Sequence, residues 1–215
     1  MNDLDLVYIV KLLPGIILGL TVHEYMHART ALYLGDTTAR DQGRVTLNPV
    51  KHIDWLGFIF IIFAGFGWAK PVQINRALLK NPRRDEMLIS VAGPVSNLFL
   101  GLLCTLLIKV LVTFFPGQDN QIYVTAMNIL LYAVFINYGL FIFNMLPIPP
   151  LDGSHLFFNV FNIQGELLAK MFKYGTMVLF AIILIESQTK IDILPIGKAI
   201  RFIVEHSFRL IGLRT

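Results

Sequence analysis

The chain has 215 residues, 55% of them hydrophobic and only 15% charged, with a mean hydropathy of +0.65. A soluble domain carries about 25% charged residues, so this composition excludes a globule with a polar surface all round and points to one compact unit solvated largely by lipid. The net charge of +4 comes from Lys and Arg scattered through short loops, which excludes a nucleic-acid surface, and the single Cys104 excludes an internal disulfide framework.

The first five residues, Met1 to Asp5, are acidic and lack the basic start of a cleaved secretory signal. The first predicted helix runs from about Leu6 to Leu34 and ends at Gly35-Asp36. At about 1.5 Å per residue it is long enough to cross a bilayer, and Pro14 is tolerable there if neighbours satisfy the freed carbonyl. Its uncharged run from Leu12 to Val22 leads into His23-Glu24-Tyr25-Met26-His27, an H-E-x-x-H motif. Residues four apart share a helix face, so His23 and His27 can point two imidazoles at one zinc ion. Glu24 then stands beside them as a general base that need not bind the metal. Ionisable groups at membrane depth are costly to keep and mark a working site, which argues against a merely satisfied buried His pair.

Residues 37 to 51 are polar and rich in turn and strand formers, and 68 to 76 alternate in character, so a small membrane-associated β region is expected near 37–51 and 68–76. Between them Trp55 to Ala69 is uncharged but short for a full span, which predicts a re-entrant or interfacial segment. After the basic loop Lys80 to Arg84, Met87 to Ile108 predicts a transmembrane helix carrying Gly93-Pro94-Val95-Ser96-Asn97. The next uncharged run, Gln121 to Leu151, finishes in a proline-rich turn ending Asp152-Gly153. Tyr174 to Ile185 is marginal as a span unless it borrows flanking residues, and the tail Ile193 to Leu213 reads as an amphipathic helix lying on the membrane.

Basic residues place the loops 40–51 and 70–84 in the cytoplasm and the loop 113–120 outside, so the His pair and the proline-rich turn finish on one side. For the basic tail, an outward-facing helix and a re-entrant last hairpin both fit. The expected architecture is an α-helical polytopic protein of the cell membrane, a single domain over 1–215. Three core transmembrane helices within about 7–160 carry the site, with a further membrane segment and the tail at about 166–215.

A catalytic zinc takes three protein ligands and leaves one position for water. Candidates for the third ligand are His52, Asp54, Asp152, His155 and Glu186. Asp152 ranks first because a rigid Pro-Pro-Leu-Asp-Gly turn fixes a carboxylate's direction; an ordinary helix N-cap explains the same residue equally well. Asn97 reads either as a donor to the oxyanion or substrate backbone or as an interhelical hydrogen bond, and Asn144 is open to the same two readings. His52 reads as an assistant to the site or a cap of the interfacial segment.

Three ordered motifs, His23 to His27, Gly93 to Asn97 and Pro149 to Gly153, together resemble the site-2 proteases, a family of intramembrane zinc metalloproteases. Gly43 to Asp54 and Gly67 to Val72 are similar to a compact, mostly prokaryotic branch without PDZ or nucleotide-sensing modules. The resemblance covers about residues 7 to 160. It implies zinc held by His23, His27 and Asp152, water activated by Glu24, and Asn97 at the substrate. One departure is Ile148, where the family's third motif often has asparagine before the proline. The partners it implies are membrane-protein substrates, the bilayer and a regulatory protein, but no nucleic acid. Two other classes fit parts of the pattern: a membrane metal transporter, which has less need of Glu24, and a silent scaffold, which needs a broken motif and finds none here.

Overall fold

The computed structural model describes residues 6–64, 67–116, 120–189 and 193–213. The acidic start, Gly65 and residues 117–119 of the loop expected outside lie beyond the described residues. The elements in chain order are α1 (Leu6–Tyr33), α2 (Thr38–Asp41), α3 (Trp55–Ala64), α4 (Pro82–Phe114), α5 (Gln121–Asn144), α6 (Asp152–Val160), α7 (Gly165–Thr189) and α8 (Ile196–Leu210). Single 3-10 turns stand at Pro49–Lys51 and Arg76–Leu78. Among the described residues four helices are long and apolar enough to cross a membrane, over Val7–Tyr33, Pro82–Phe114, Gln121–Asn144 and Gly165–Glu186. The chain is a helical polytopic membrane protein.

α1, α4 and α5 pack on one another, and small residues let their backbones approach. A Cβ at Gly15 would stand 2.9 Å from the Cα of Ala133, and one at Gly101 would collide with the Tyr138 ring. Cys104 and Ile108 of α4, Ala133, Val134 and Tyr138 of α5 and Val204 of α8 make the main apolar cluster. Hydrocarbon attracts a helix no better than lipid does, so such close fits and buried polar contacts set the arrangement. Thr105 Oγ1 against the Tyr138 hydroxyl at 3.3 Å is one of them.

One expectation is corrected. Among the described residues there is no strand; the predicted β region near 37–51 and 68–76 reduces to one antiparallel bridge between Ile53 and Ala69. Side-chain oxygens there take the amides a ladder would need. Asp36 accepts from Thr38 N at 2.9 Å and Asn75 N at 2.7 Å, Asn48 from Val50 N at 3.1 Å, and Asn75 from Ala77 N at 3.0 Å. The tail forms the amphipathic helix expected, and part of its apolar face meets the bundle. Val204 of α8 belongs to the α4/α5 cluster, and Ile200, Ile203 and Phe208 pack against it. The last span does borrow flanking residues, starting nine positions before Tyr174 at Gly165.

Candidate metal centre

The spacing of four in α1 brings His23 Nε2 and His27 Nε2 to 3.0 Å, with the rings edge to face and both side chains buried. The turn after α5 returns Asp152 to the same point as the first residue of α6. Its Oδ2 lies 3.1 Å from His23 Nε2 and 3.3 Å from His27 Nε2. The N-cap of α6 is Leu151, so Asp152 is not the cap residue, and its Oδ2 faces the two imidazoles as the ligand reading expects.

The far nitrogen of each ring is engaged on α4. His27 Nδ1 donates to the Ile89 carbonyl at 2.7 Å, and His23 Nδ1 lies 2.6 Å from Asn97 Oδ1. With a proton on each Nδ1, both Nε2 lone pairs and a buried carboxylate oxygen that lacks any hydrogen-bond partner converge with no hydrogen to share. Such a set asks for a cation. A tetrahedral zinc with bonds of about 2.0–2.2 Å separates its ligand atoms by roughly 3.3–3.6 Å, close to the 3.0, 3.1 and 3.3 Å edges seen here. The donor set and its spacing therefore fit a divalent ion, and among the described residues these three form a group able to hold one.

Glu24 is buried beside His23 but stays outside that trio; its Oε2 accepts a hydrogen bond from Val72 N at 3.0 Å. The segment around Val72 is held in turn by Lys70 N donating to the His52 carbonyl at 2.9 Å and by Arg44 Nη2 donating to the Lys70 carbonyl. His52 is wholly buried, its Nε2 2.7 Å from the Thr46 carbonyl. Burial pushes its pKa below the ordinary histidine value, against the pull of that carbonyl. Burial likewise lowers the pKa of Arg44, and the charge of Glu24 opposes it.

The profile of one peptidase family spans residues 11–186, from the start of α1 to the end of the last candidate span. The chain belongs to peptidase family M50. Relatives of this M50 chain include "Putative zinc metalloprotease YwhC" of Bacillus subtilis, 42% identical over 168 residues covering 72% of each chain. "Putative zinc metalloprotease Rip2" of Mycobacterium tuberculosis is 31% identical over 150 residues, and the match covers 67% of this chain and 54% of that one. The namesake in Mycolicibacterium smegmatis is 27% identical over the same coverage. The chain thus spans about half the length of Rip2 and most of YwhC. No solved structure matches it.

Within the M50 fold the remaining sequence candidates sort cleanly. Asp54 caps α3, its Oδ1 accepting from Gly57 N at 2.9 Å, and Glu186 accepts from Leu194 N at 2.6 Å; neither joins the metal group. His155 stacks on Phe172 and sits 3.9 Å from Glu86, and burial pushes its pKa down. Asn144 donates to the Leu140 carbonyl of its own helix at 3.0 Å. Asn97 is fully buried, and its amide nitrogen donates to the carbonyl of Gly19 and to Asn137 Oδ1, both at 3.0 Å. With both hydrogens engaged it has none to offer an oxyanion. Of its two readings these contacts make the interhelical one, with His23 as a further partner, and His52 ties its loop through Thr46 and Lys70. Arg44 and Val72 lie in the family-like stretches, but their roles around Glu24 were not legible: a lone arginine in a polar stretch carries no periodic signal, and a backbone amide carries none at all.

Proposed function

We propose that this M50 peptidase is an intramembrane zinc metalloprotease of the cell membrane that hydrolyses peptide bonds in or near transmembrane segments of membrane proteins. In this reading α1, α4 and α5 form its catalytic core. The observation that carries it is the convergence of His23, His27 and Asp152, with a non-ligating carboxylate one residue along α1. The curated relatives' names, which specify zinc metalloproteases, support the choice of ion.

His23, His27 and Asp152 would hold the ion. Zinc bound there supplies Lewis acidity toward the scissile carbonyl and makes water acidic enough to give up a proton near neutrality. Glu24 takes that proton on its carboxylate and returns it to the leaving amide nitrogen. Val72 N–H fixes the carboxylate's angle while the proton is held, and Arg44 and His52 fix the Lys70–Val72 segment. His27 and His23 keep their rings aimed through the bonds on α4. Substrate must arrive unwound, because a helix hides its carbonyls in hydrogen bonds, and the 70–75 stretch offers backbone for pairing with it.

Metal analysis of purified protein, paired with cleavage of single-span substrates, tests this reading. About one zinc per chain is expected, with cleavage lost on chelation and restored by zinc. Full cleavage by metal-free protein would overturn it. Asp152→Ala is expected to lower zinc affinity by more than the about 10–100-fold typical of an outer-shell contact, because it deletes a ligand. Chelator competition measures this; wild-type affinity would remove Asp152 from the site.

Val72→Pro probes the carboxylate's support. Proline has no N–H to give Glu24. A hydrogen bond to a charged group is worth roughly 1.5–3 kcal/mol, so a drop in turnover of about tenfold or more is expected, with zinc still bound. Unchanged turnover would show that this amide does not hold the base.

A further inference from the structure

The buried bond between His23 and Asn97 continues to a third side chain, Asn137 of α5, that the mechanism above does not use. Asn97 and Asn137 are wholly removed from solvent and His23 nearly so, leaving no water to substitute for a missing partner. The direction of every bond in this line follows from its far end. The Ala133 carbonyl can only accept, so the amide nitrogen of Asn137 faces it, at 2.8 Å. That turns Asn137 Oδ1 toward α4, where only a donor satisfies it.

Asn97 Nδ2 stands 3.0 Å from this oxygen and 3.0 Å from the carbonyl of Gly19. Two acceptors flank the nitrogen end of the Asn97 amide, so its oxygen faces the other way, toward His23 Nδ1. An amide oxygen accepts and cannot donate. His23 must therefore carry its proton on Nδ1 and present a bare Nε2 to His27 and Asp152. The fit is tight as well: a Cβ at Gly19 would lie 3.0 Å from Asn137 Oδ1.

We propose that Asn137 is a positioning residue of the metal centre: through Asn97 it sets the tautomer and ring angle of His23. The inference rests on the zinc reading above. Removing the Asn137 oxygen leaves one hydrogen of Asn97 unpaired and weakens the force that keeps its amide from turning over. A turned amide would aim a donor at His23 Nδ1 and drive its proton to Nε2, where the ion belongs.

The rival role is plain interhelical adhesion between α4 and α5, and zinc affinity separates the two. Purified full-length variants are compared by competition with a chromophoric chelator. Asn137→Ala is expected to bind zinc about 10–100-fold more weakly, the usual effect of losing an outer-shell partner. Asn137→Asp, kept neutral by full burial so that its O–H donates to the Ala133 carbonyl, keeps an oxygen toward Asn97 and is expected to return to within a few-fold of wild type. Tyr138→Phe deletes the neighbouring α4–α5 contact with Thr105 and is expected to change nothing.

Wild-type affinity in Asn137→Ala, no rescue by Asn137→Asp, or equal weakening in Tyr138→Phe would each overturn the proposal. His23→Ala tests the underlying reading separately: full zinc affinity there ends the metal site itself, whereas loss there with none in Asn137→Ala ends only the positioning role. Should Asn137→Ala not fold, the histidine ¹⁵N spectrum of zinc-loaded wild-type protein decides. A proton on Nδ1 of His23 is expected, and metal on that nitrogen would refute the assignment.

Discussion

Replacing Glu24 with glutamine is expected to lower peptide-bond hydrolysis by about 10²–10⁴-fold while leaving zinc content at the wild-type level. The carboxylate stands outside the three converging ligands, so the ion has no need of it. Its one bond is accepted from Val72 N, and the glutamine amide oxygen can accept the same bond. Shape and packing are therefore kept, and what disappears is the capacity to hold a proton between water and the leaving nitrogen. Metal analysis and single-turnover cleavage on the same preparation read both quantities. The pairing also separates the rival classes: a metal transporter should keep much of its flux with glutamine here, and a scaffold has no turnover to lose. Undiminished hydrolysis would mean that another group does this work.

The residues that could be read from the sequence are those whose meaning is local. His23 and His27 share a helix face by spacing alone, and α1 and α4 announce themselves through long uncharged runs. Asp152 was legible in part, because a rigid turn after an apolar run fixes a carboxylate, yet whether it caps or coordinates depends on α1, more than a hundred positions earlier. Asn97 stood out as a polar side chain at depth, and of its two readings the interhelical hydrogen bond is the one its contacts make, though the sequence could not name the partners. Its hydrogens meet Gly19 and Asn137 on two other helices, and nothing near it in the chain encodes that. The β region failed because alternation was weighed above chemistry, and Asp36, Asn48 and Asn75 claim the backbone amides first. The tail was legible in part: period 3.6 tells that α8 has an apolar face, not how much of that face α5 covers.

Gly93→Ala, one methyl group added to α4, is expected to weaken zinc binding by at least about 100-fold and to abolish cleavage with it. Ile89, Gly93 and Asn97 are spaced by four and occupy one face of α4, the face against the two imidazoles. A Cβ on Gly93 would collide with Nε2 of His27 and stand 2.7 Å from its Cε1 and 2.8 Å from His23 Cε1. Neither ring is free to swing clear, since each is tied by Nδ1 to this same helix, one turn before and one turn after the glycine. The helix must then shift outward as a whole or one ring must abandon its bond, and either movement separates the nitrogens from Asp152. Overpacking of this kind costs about 1–3 kcal/mol in a core, which a long membrane helix can absorb, so the variant should still fold and be purified. Chelator competition on that protein gives the affinity, and the thermal transition reports separately on the fold. Wild-type zinc affinity in Gly93→Ala would mean that the imidazoles do not lie against α4, and the anchoring of both rings would have to be redrawn.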